Sequence, residues 1–261
     1  GSEMCIRDSY ELEEPEQLSQ NGHYLSIDLG LHNLMTCYDS AGTSFILGRK
    51  YLEISWKYDK EIARLGHQWN SCQSAGGIKY PKPSKHMLKV YKKKRNCIHD
   101  YLHKVTRAVV NYCKANDIHT VIIGEITNIR RNKNLGKVTN QKLHALPYAK
   151  IYGMLEYKLA MHGITLAKQT EEYSSQCSPH APQVTKEYAK KCNRTSRGLY
   201  KDQLSVYNAD AVGAYNIMRK YFAGCGKEKK ISVTGLSSPL IIKVAVSYTH
   251  LRAHETLSDL V

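Results

Sequence analysis

Between His23 and Gly30 the chain alternates in character: Leu25, Ile27 and Leu29 fall on one face of an extended segment, and Ser26 and Asp28 fall on the other. A segment of that period belongs in a sheet. Two more short apolar runs follow, at 34–38 and 45–47, separated by Asp39-Ser40-Ala41-Gly42, whose residues suit a tight turn. The three runs predict an antiparallel meander. Beyond it the period lengthens: 51–72 reads as a helix, Gly76-Gly77 to Pro83 as a loop, and a long helix begins near His86. Along that helix Ile98, Tyr101, Leu102, Val105, Val109 and Tyr112 recur at helical spacing and form one inward stripe. After Asn116-Asp117, the continuously apolar run 119–124 reads as a strand buried on both faces. A helix over about 144–162 stopped by Gly163, a strand over 164–167, an irregular basic stretch over 172–206, and a helix over 209–222 capped by Asn208 complete the pattern. A meander followed by helix–strand alternation predicts a mixed α/β sheet with helices on both faces.

With 261 residues the chain can bury a real core, in one or two domains. No apolar run approaches the roughly 18–20 residues that span a bilayer, and the N-terminus lacks the apolar core of a signal peptide. The expectation is therefore a cytoplasmic protein with no membrane partner. Lys and Arg number 38 against 23 Asp and Glu, a formal charge of +15, which points to nucleic acid as partner; the alternative is a solvated surface that binds nothing. Eight cysteines are scattered without the spacing of a disulfide framework and read as reduced thiols. Both ends look foreign: Glu3-Met4-Cys5-Ile6-Arg7-Asp8-Ser9 and the stretch from Val246 to Thr256 resemble translated sequencing-adapter sequence. The expectation is that the gene was cut at both ends and that the natural protein is longer.

Three acids stand where chemistry usually places them. Asp28 ends an apolar strand two residues before a glycine; Glu125 directly follows the buried run Val121-Ile122-Ile123-Gly124; Asp210 lies near the start of the last helix among small residues. Each has an ordinary alternative: a turn cap, a solvated strand end, and an acid that favours the helix dipole. Together they fit phosphodiester cleavage with two metals, which needs several carboxylates converging on ions roughly 3.5–4 Å apart.

The series Ile27-Asp28-Leu29-Gly30-Leu31-His32-Asn33-Leu34, then Ile123-Gly124-Glu125, then Asn208-Ala209-Asp210-Ala211-Val212-Gly213-Ala214-Tyr215-Asn216-Ile217 resembles the three RuvC motifs of TnpB, the transposon-encoded relative of type V CRISPR nucleases. Asp100-Tyr101-Leu102-His103-Lys104, Leu146-Pro147-Tyr148 and Glu172-Tyr173-Ser174-Ser175 are also similar, so the resemblance runs over about 23–222. It implies an RNase H-like (RuvC) α/β fold and a DNA endonuclease guided by RNA, with Asp28, Glu125 and Asp210 as the ligands of two Mg²⁺ ions. It also implies an N-terminal region, missing here, that grips guide RNA and target DNA. Within the same fold class a junction resolvase or strand-transfer transposase stays open, and from another class a non-catalytic nucleic-acid-binding regulator.

The family carries a four-cysteine zinc ribbon before its last motif. Here Cys177 and His180 form a C-x-x-H pair and Cys192 offers a third ligand, but Thr195 stands where a second C-x-x-C pair would end. Structural zinc almost always takes four protein ligands, so the expectation is a degenerate, zinc-ribbon-like basic insertion, with Zn²⁺ on Cys177, His180 and Cys192 as the alternative. Lys186, Lys190, Lys191, Arg194, Arg197 and Lys201, interleaved with Tyr188 and Tyr200, suit phosphate contact and base stacking. Lys92, Lys93, Lys94 and Arg95 form a second basic cluster, and Arg130, Arg131 and Lys133 a third. The resulting division is an adapter-like segment and linker over 1–22, a nuclease core over 23–171, the insertion over 172–206, the last motif's helix over 207–222, and a tail over 223–261.

Overall fold

The alternation at the head of the chain is realised as a meander of β1 (Tyr24–Asp28), β2 (Met35–Asp39) and β3 (Ser44–Leu47), paired antiparallel in sequence order. The structure, a computed structural model, describes residues 15–125, 146–196, 198–226 and 231–246. The turn from β2 to β3 is fixed by Asp39, which is buried: its Oδ1 accepts from the Ala41 N–H at 2.9 Å and its Oδ2 from the Tyr112 hydroxyl at 2.9 Å. A buried carboxylate is tolerable when its oxygens are occupied in this way, and the Tyr112 bond ties the meander to the long helix.

The apolar run after Asn116 forms β4 (Thr120–Glu125), which lies parallel to β1 and is buried along its length up to Glu125. Beside it runs β5 (Thr165–Thr170), also parallel. The strand extends three residues past the expected end at Ala167. Lys168, Gln169 and Thr170 are polar because β5 is a half-exposed edge, so hydropathy hides a segment that the backbone ladder to β4 holds in place.

Helices flank both faces. On one side α1 (Tyr51–Ala75), α2 (Lys85–Ala115) and α3 (Tyr148–Ala160) pack with the odd-numbered residues of β1 and β4, burying Leu25, Ile27, Val121, Ile123, Val105 and Leu155 in one cluster. Ser84 caps α2 by accepting from the Met87 N–H. The buried Lys158 Nζ of α3 donates to the His103 carbonyl at 2.9 Å and the Thr106 hydroxyl at 2.7 Å, joining α3 to α2. On the other side α4 (Ala209–Gly224) covers Tyr24, Tyr38 and Ile122 with Val212, Tyr215, Met218 and Phe222. The face of β1 that reads as polar is thus not solvated: Ser26 is fully buried, its hydroxyl donating to the Tyr38 carbonyl.

The segment between β5 and α4 is mostly irregular, as its composition predicts, with one hairpin of β6 (Leu199–Lys201) and β7 (Val206–Asn208). No element is legible in the sequence after 222, yet part of that stretch returns to the sheet. Leu236 is buried against the α4 cluster, and β8 (Leu240–Ile241) pairs parallel to β3, giving the order β5-β4-β1-β2-β3-β8. The fold is a mixed α/β sheet with four α-helices among the described residues. No helix among them is long and apolar enough to cross a membrane.

Small residues let α4 come down close on β1. A Cβ at Gly213 would lie 2.8 Å from Asp28 Oδ2, inside van der Waals contact, and Asp28 is a short side chain with little freedom to yield. Replacement by alanine improves helix propensity by about 1 kcal/mol, but overpacking a filled interior costs about 1–3 kcal/mol. Gly213→Ala is expected to lower stability by about 1 kcal/mol net, read as a lower denaturant midpoint at unchanged slope. An unchanged or higher midpoint would show that α4 is not seated on Asp28.

Candidate active site

Three neighbouring parallel strands, β1, β4 and β5, point the same way, and each finishes at or beside an acid: Asp28, Glu125, and Glu171 just past Thr170. The C-terminal edge of such strands is where open α/β sheets place their chemistry. Asp28 is half-buried beneath the first turns of α4, and its carboxyl is held well above the usual carboxylate range. Burial is the main cause, followed by the charges of Glu171 and then Asp210, with the Arg194 guanidinium acting in the opposite sense.

Asp210 sits in the first turn of α4, where the Asn208 side chain caps the helix by accepting from the Asp210 and Ala211 N–H groups, both at 3.1 Å. The Asn33 amide, from the loop after β1, donates to Asp210 Oδ2 at 2.8 Å and fixes that carboxylate over the sheet end. Glu171 escapes sequence reasoning because the strand before it is assigned too short. Its carboxyl is pushed up to about 7, chiefly by burial, against the pull of a backbone hydrogen bond from Leu29 and of the Lys220 charge. Its Oε1 is buried without a hydrogen-bond partner. The structure therefore brings Asp210 and Glu171 each within electrostatic reach of Asp28. Glu125 closes β4 at the same sheet edge, half-buried, and is not among the charges acting on Asp28.

Among the described residues no three His, Cys, Asp or Glu side chains already stand in a metal-ligating arrangement. Carboxylates sharing a site repel one another until a cation or a proton neutralises them. The three residues considered for zinc have separate partners: the buried Cys177 thiol faces the Thr185 carbonyl, His180 Nε2 is 2.9 Å from the Tyr207 hydroxyl, and Cys192 is exposed beside Asn193. The segment is held instead by α4. Asn216 donates to the carbonyls of Ser174 and Cys177 at 2.7 and 2.9 Å, and Arg219 to those of Ser178, Ala181 and Pro182.

Of the basic residues singled out in the sequence, Arg194 is the one whose charge acts on Asp28, and it donates to the Ser175 hydroxyl at 3.3 Å. Lys201 is exposed on β6, at the rim of a cavity of about 540 Å³ shared with His180, Tyr188, Lys190 and Cys192. Lys92–Arg95 occupy consecutive positions of α2 and so ring the helix rather than share a face. Lys92, Lys94 and Arg95 line a groove of about 640 Å³ with Tyr51, Tyr91 and Lys150, and Lys94 is already paired with Asp59 at 2.6 Å. Arg130, Arg131, Lys133 and Arg197 lie outside the described residues.

Residues 8–130 match the family OrfB_IS605, described as "Probable transposase", and residues 148–217 match the family described as "Cas12f1-like, TNB domain". Among solved structures the chain is similar to a Cas12f1 protein in complex with sgRNA and target DNA: 16% identity, 77% of this chain and 50% of that one covered, TM-score 0.56. It is similar also to a CRISPR-Cas12f protein in a ternary complex, with 16% identity, 80% and 41% coverage and TM-score 0.54. At such identity the likeness concerns the fold. The chain spans half or less of the length of these structures. No curated protein matches. The transposase family matches the segment that carries Asp28 and Glu125, the Cas12f1-like domain matches the segment that carries Glu171 and Asp210, and the chain is accordingly TnpB-like and related to the type V nucleases.

Proposed function

We propose that this chain carries an RNase H-like, RuvC-type endonuclease domain that cuts DNA with divalent metal ions, and that it works under the direction of a guide RNA. The observation that carries the reading is Asp28: a half-buried carboxylate at the end of a central strand, held well above its ordinary value with two further acids acting on it. Burying one ionised carboxylate is costly, and assembling several is more so unless a cation offsets the charge. The residues fit Mg²⁺ on two counts. The donors are carboxylate oxygens, the ligand type that this ion takes, and Glu171 Oε1 is a buried acceptor left without a protein donor.

In this reading Asp28, Glu125 and Asp210 hold two Mg²⁺ ions. Bound there, the ions would supply an activated water and stabilise the leaving oxygen of the cut phosphodiester. The chain's own residues supply the geometry. Asn33 and the Asn208 cap keep Asp210 aimed at the sheet end, and Gly213 leaves room for α4 to close over Asp28. Arg194, whose charge acts on Asp28, would receive the scissile phosphate. The groove lined by Lys92, Lys94 and Arg95, with the exposed Tyr91 beside them, suits the backbone and bases of a single strand.

Two measurements follow from the charge. For Glu171 the unfolded-state value is near the ordinary 4.5 and the folded value about 7. Between those limits the folded protein keeps a proton that the unfolded chain has released. Stability of the metal-free protein therefore falls as pH rises through that window, by on the order of 1–3 kcal/mol, and the loss is complete above it. Thermal unfolding in EDTA should give a lower midpoint at pH 8 than at pH 5.5, and Mg²⁺ should restore most of the difference. A midpoint that rises with pH in EDTA would refute the buried-carboxylate account.

The second measurement separates chemistry from binding. Asp28→Asn should abolish Mg²⁺-dependent DNA cleavage while leaving affinity for nucleic acid in EDTA nearly intact. If Lys92 and Arg95 neutralise phosphates, their joint replacement by alanine should reduce the magnitude of the log–log salt slope of single-strand binding by about 0.7 for each phosphate set free. Cleavage by Asp28→Asn at the wild-type rate would remove the assignment, and coincident salt slopes would show the groove to be plain solvated surface.

A further inference from the structure

We infer that Glu171 is a fourth carboxylate of this metal centre, the acid that serves it on Asp28's own face of the sheet. The inference rests on the metal-centre reading above and adds to it a residue that the three-motif pattern does not contain.

The sheet register carries the first step. Ser26 pairs with Ile122 and Ile122 with Ala167, so the even residues of β1 and β4 share a face with the odd residues of β5. That face is the one under α4, since Tyr24 and Ile122 belong to the α4 cluster whereas Val121 and Ile123 belong to the other. Side chains alternate along a strand. Asp28, Gly124 and Gln169 therefore look toward α4, and Glu171, two residues beyond Gln169, continues that row. Glu125 falls in the row of Val121 and Ile123 and has to reach the centre around the end of β4.

On Asp28's face, β4 thus contributes a glycine and no side chain. The Glu171 carboxyl fills the space above it: a Cβ on Gly124 would lie 2.0 Å from Glu171 Oε1 and 2.6 Å from its carboxyl carbon. A glycine at 124 is what admits the acid to that position. Oε1 is then buried with no donor. The neighbouring cation does not supply one, because Lys220 Nζ donates to Thr170 Oγ1 at 3.1 Å and to the Glu172 carbonyl at 3.0 Å. A buried charged acceptor without a partner is expensive to keep. A purely structural role, accepting from the Leu29 N–H at the end of β1, needs only a neutral acceptor and would be filled as well by glutamine.

The test uses Mn²⁺ as the probe on the metal-free 261-residue chain, with binding followed by calorimetry and by the electron paramagnetic resonance signal of free Mn²⁺. Glu171→Gln keeps the shape and the Leu29 hydrogen bond and should weaken Mn²⁺ binding by about 10- to 100-fold, while the metal-free unfolding midpoint holds or rises. Gly124→Ala leaves the carboxylate in the chain but pushes it from its seat, and should weaken Mn²⁺ similarly. Wild-type affinity in both variants, alongside loss of binding in Asp28→Asn, would overturn the role of Glu171 and leave the centre itself standing. Failure of the wild-type chain to bind Mn²⁺ at millimolar concentration would overturn the centre and Glu171 with it.

Discussion

The close seat of α4 on β1 is the contact on which the rest of this structure depends. Helix and strand meet where Gly213 offers no side chain and Asp28 offers a short one, so the helix axis can approach the sheet beside a half-buried carboxylate. Below that point the same helix buries Val212, Tyr215, Met218 and Phe222 against Tyr24, Tyr38 and Ile122, an apolar contact large enough to hold an unfavourable charge in place. The arrangement sets stability against chemistry: packing keeps Asp28 where an unneutralised carboxylate would not stay by itself.

α4 also organises the segment before it. A zinc ribbon holds its loops by thiolates around one ion; here Asn216 and Arg219 do comparable work with amide and guanidinium donors aimed at the carbonyls of Ser174, Cys177, Ser178 and Ala181. Cys177 is a buried thiol facing the Thr185 carbonyl, and burial pushes it up from its ordinary value. The basic residues of this segment are thereby hung from the helix that covers Asp28, and Arg194 is held within electrostatic range of the acids.

Much of this was legible in the sequence, for physical reasons. The meander, β4 and the long helix are written in hydrophobic period, and the Asn208 cap and the Gly163 stop in local backbone chemistry. Asp28 and Asp210 could be picked out because an acid at the end of an apolar strand, or among small residues on a helix, departs from the pattern around it. Three things could not be read. The end of β5 was hidden because an edge strand needs no apolar residues to keep its ladder. Glu171 was hidden with it, since its meaning depends on knowing that β5 runs beside β4 and ends level with it. The return of Leu236 and β8 to the sheet was hidden because two residues of edge pairing leave almost no periodic signal.

The pairing of β8 with β3 has a consequence for how the molecule meets others of its kind. A sheet edge with unpaired amides and carbonyls is a template for another strand. At the β3 side β8 occupies part of that template, with Phe45 and Ile46 matched to Leu240 and Ile241. At the other side β5 stands uncovered by any further strand among the described residues, but it presents Thr165, Lys168 and Thr170 outward and places a lysine in the middle of its length. A lysine interrupts one border of the sheet and a strand of only two residues forms the other, and both features blunt the edge-to-edge pairing that a long, flat border would invite.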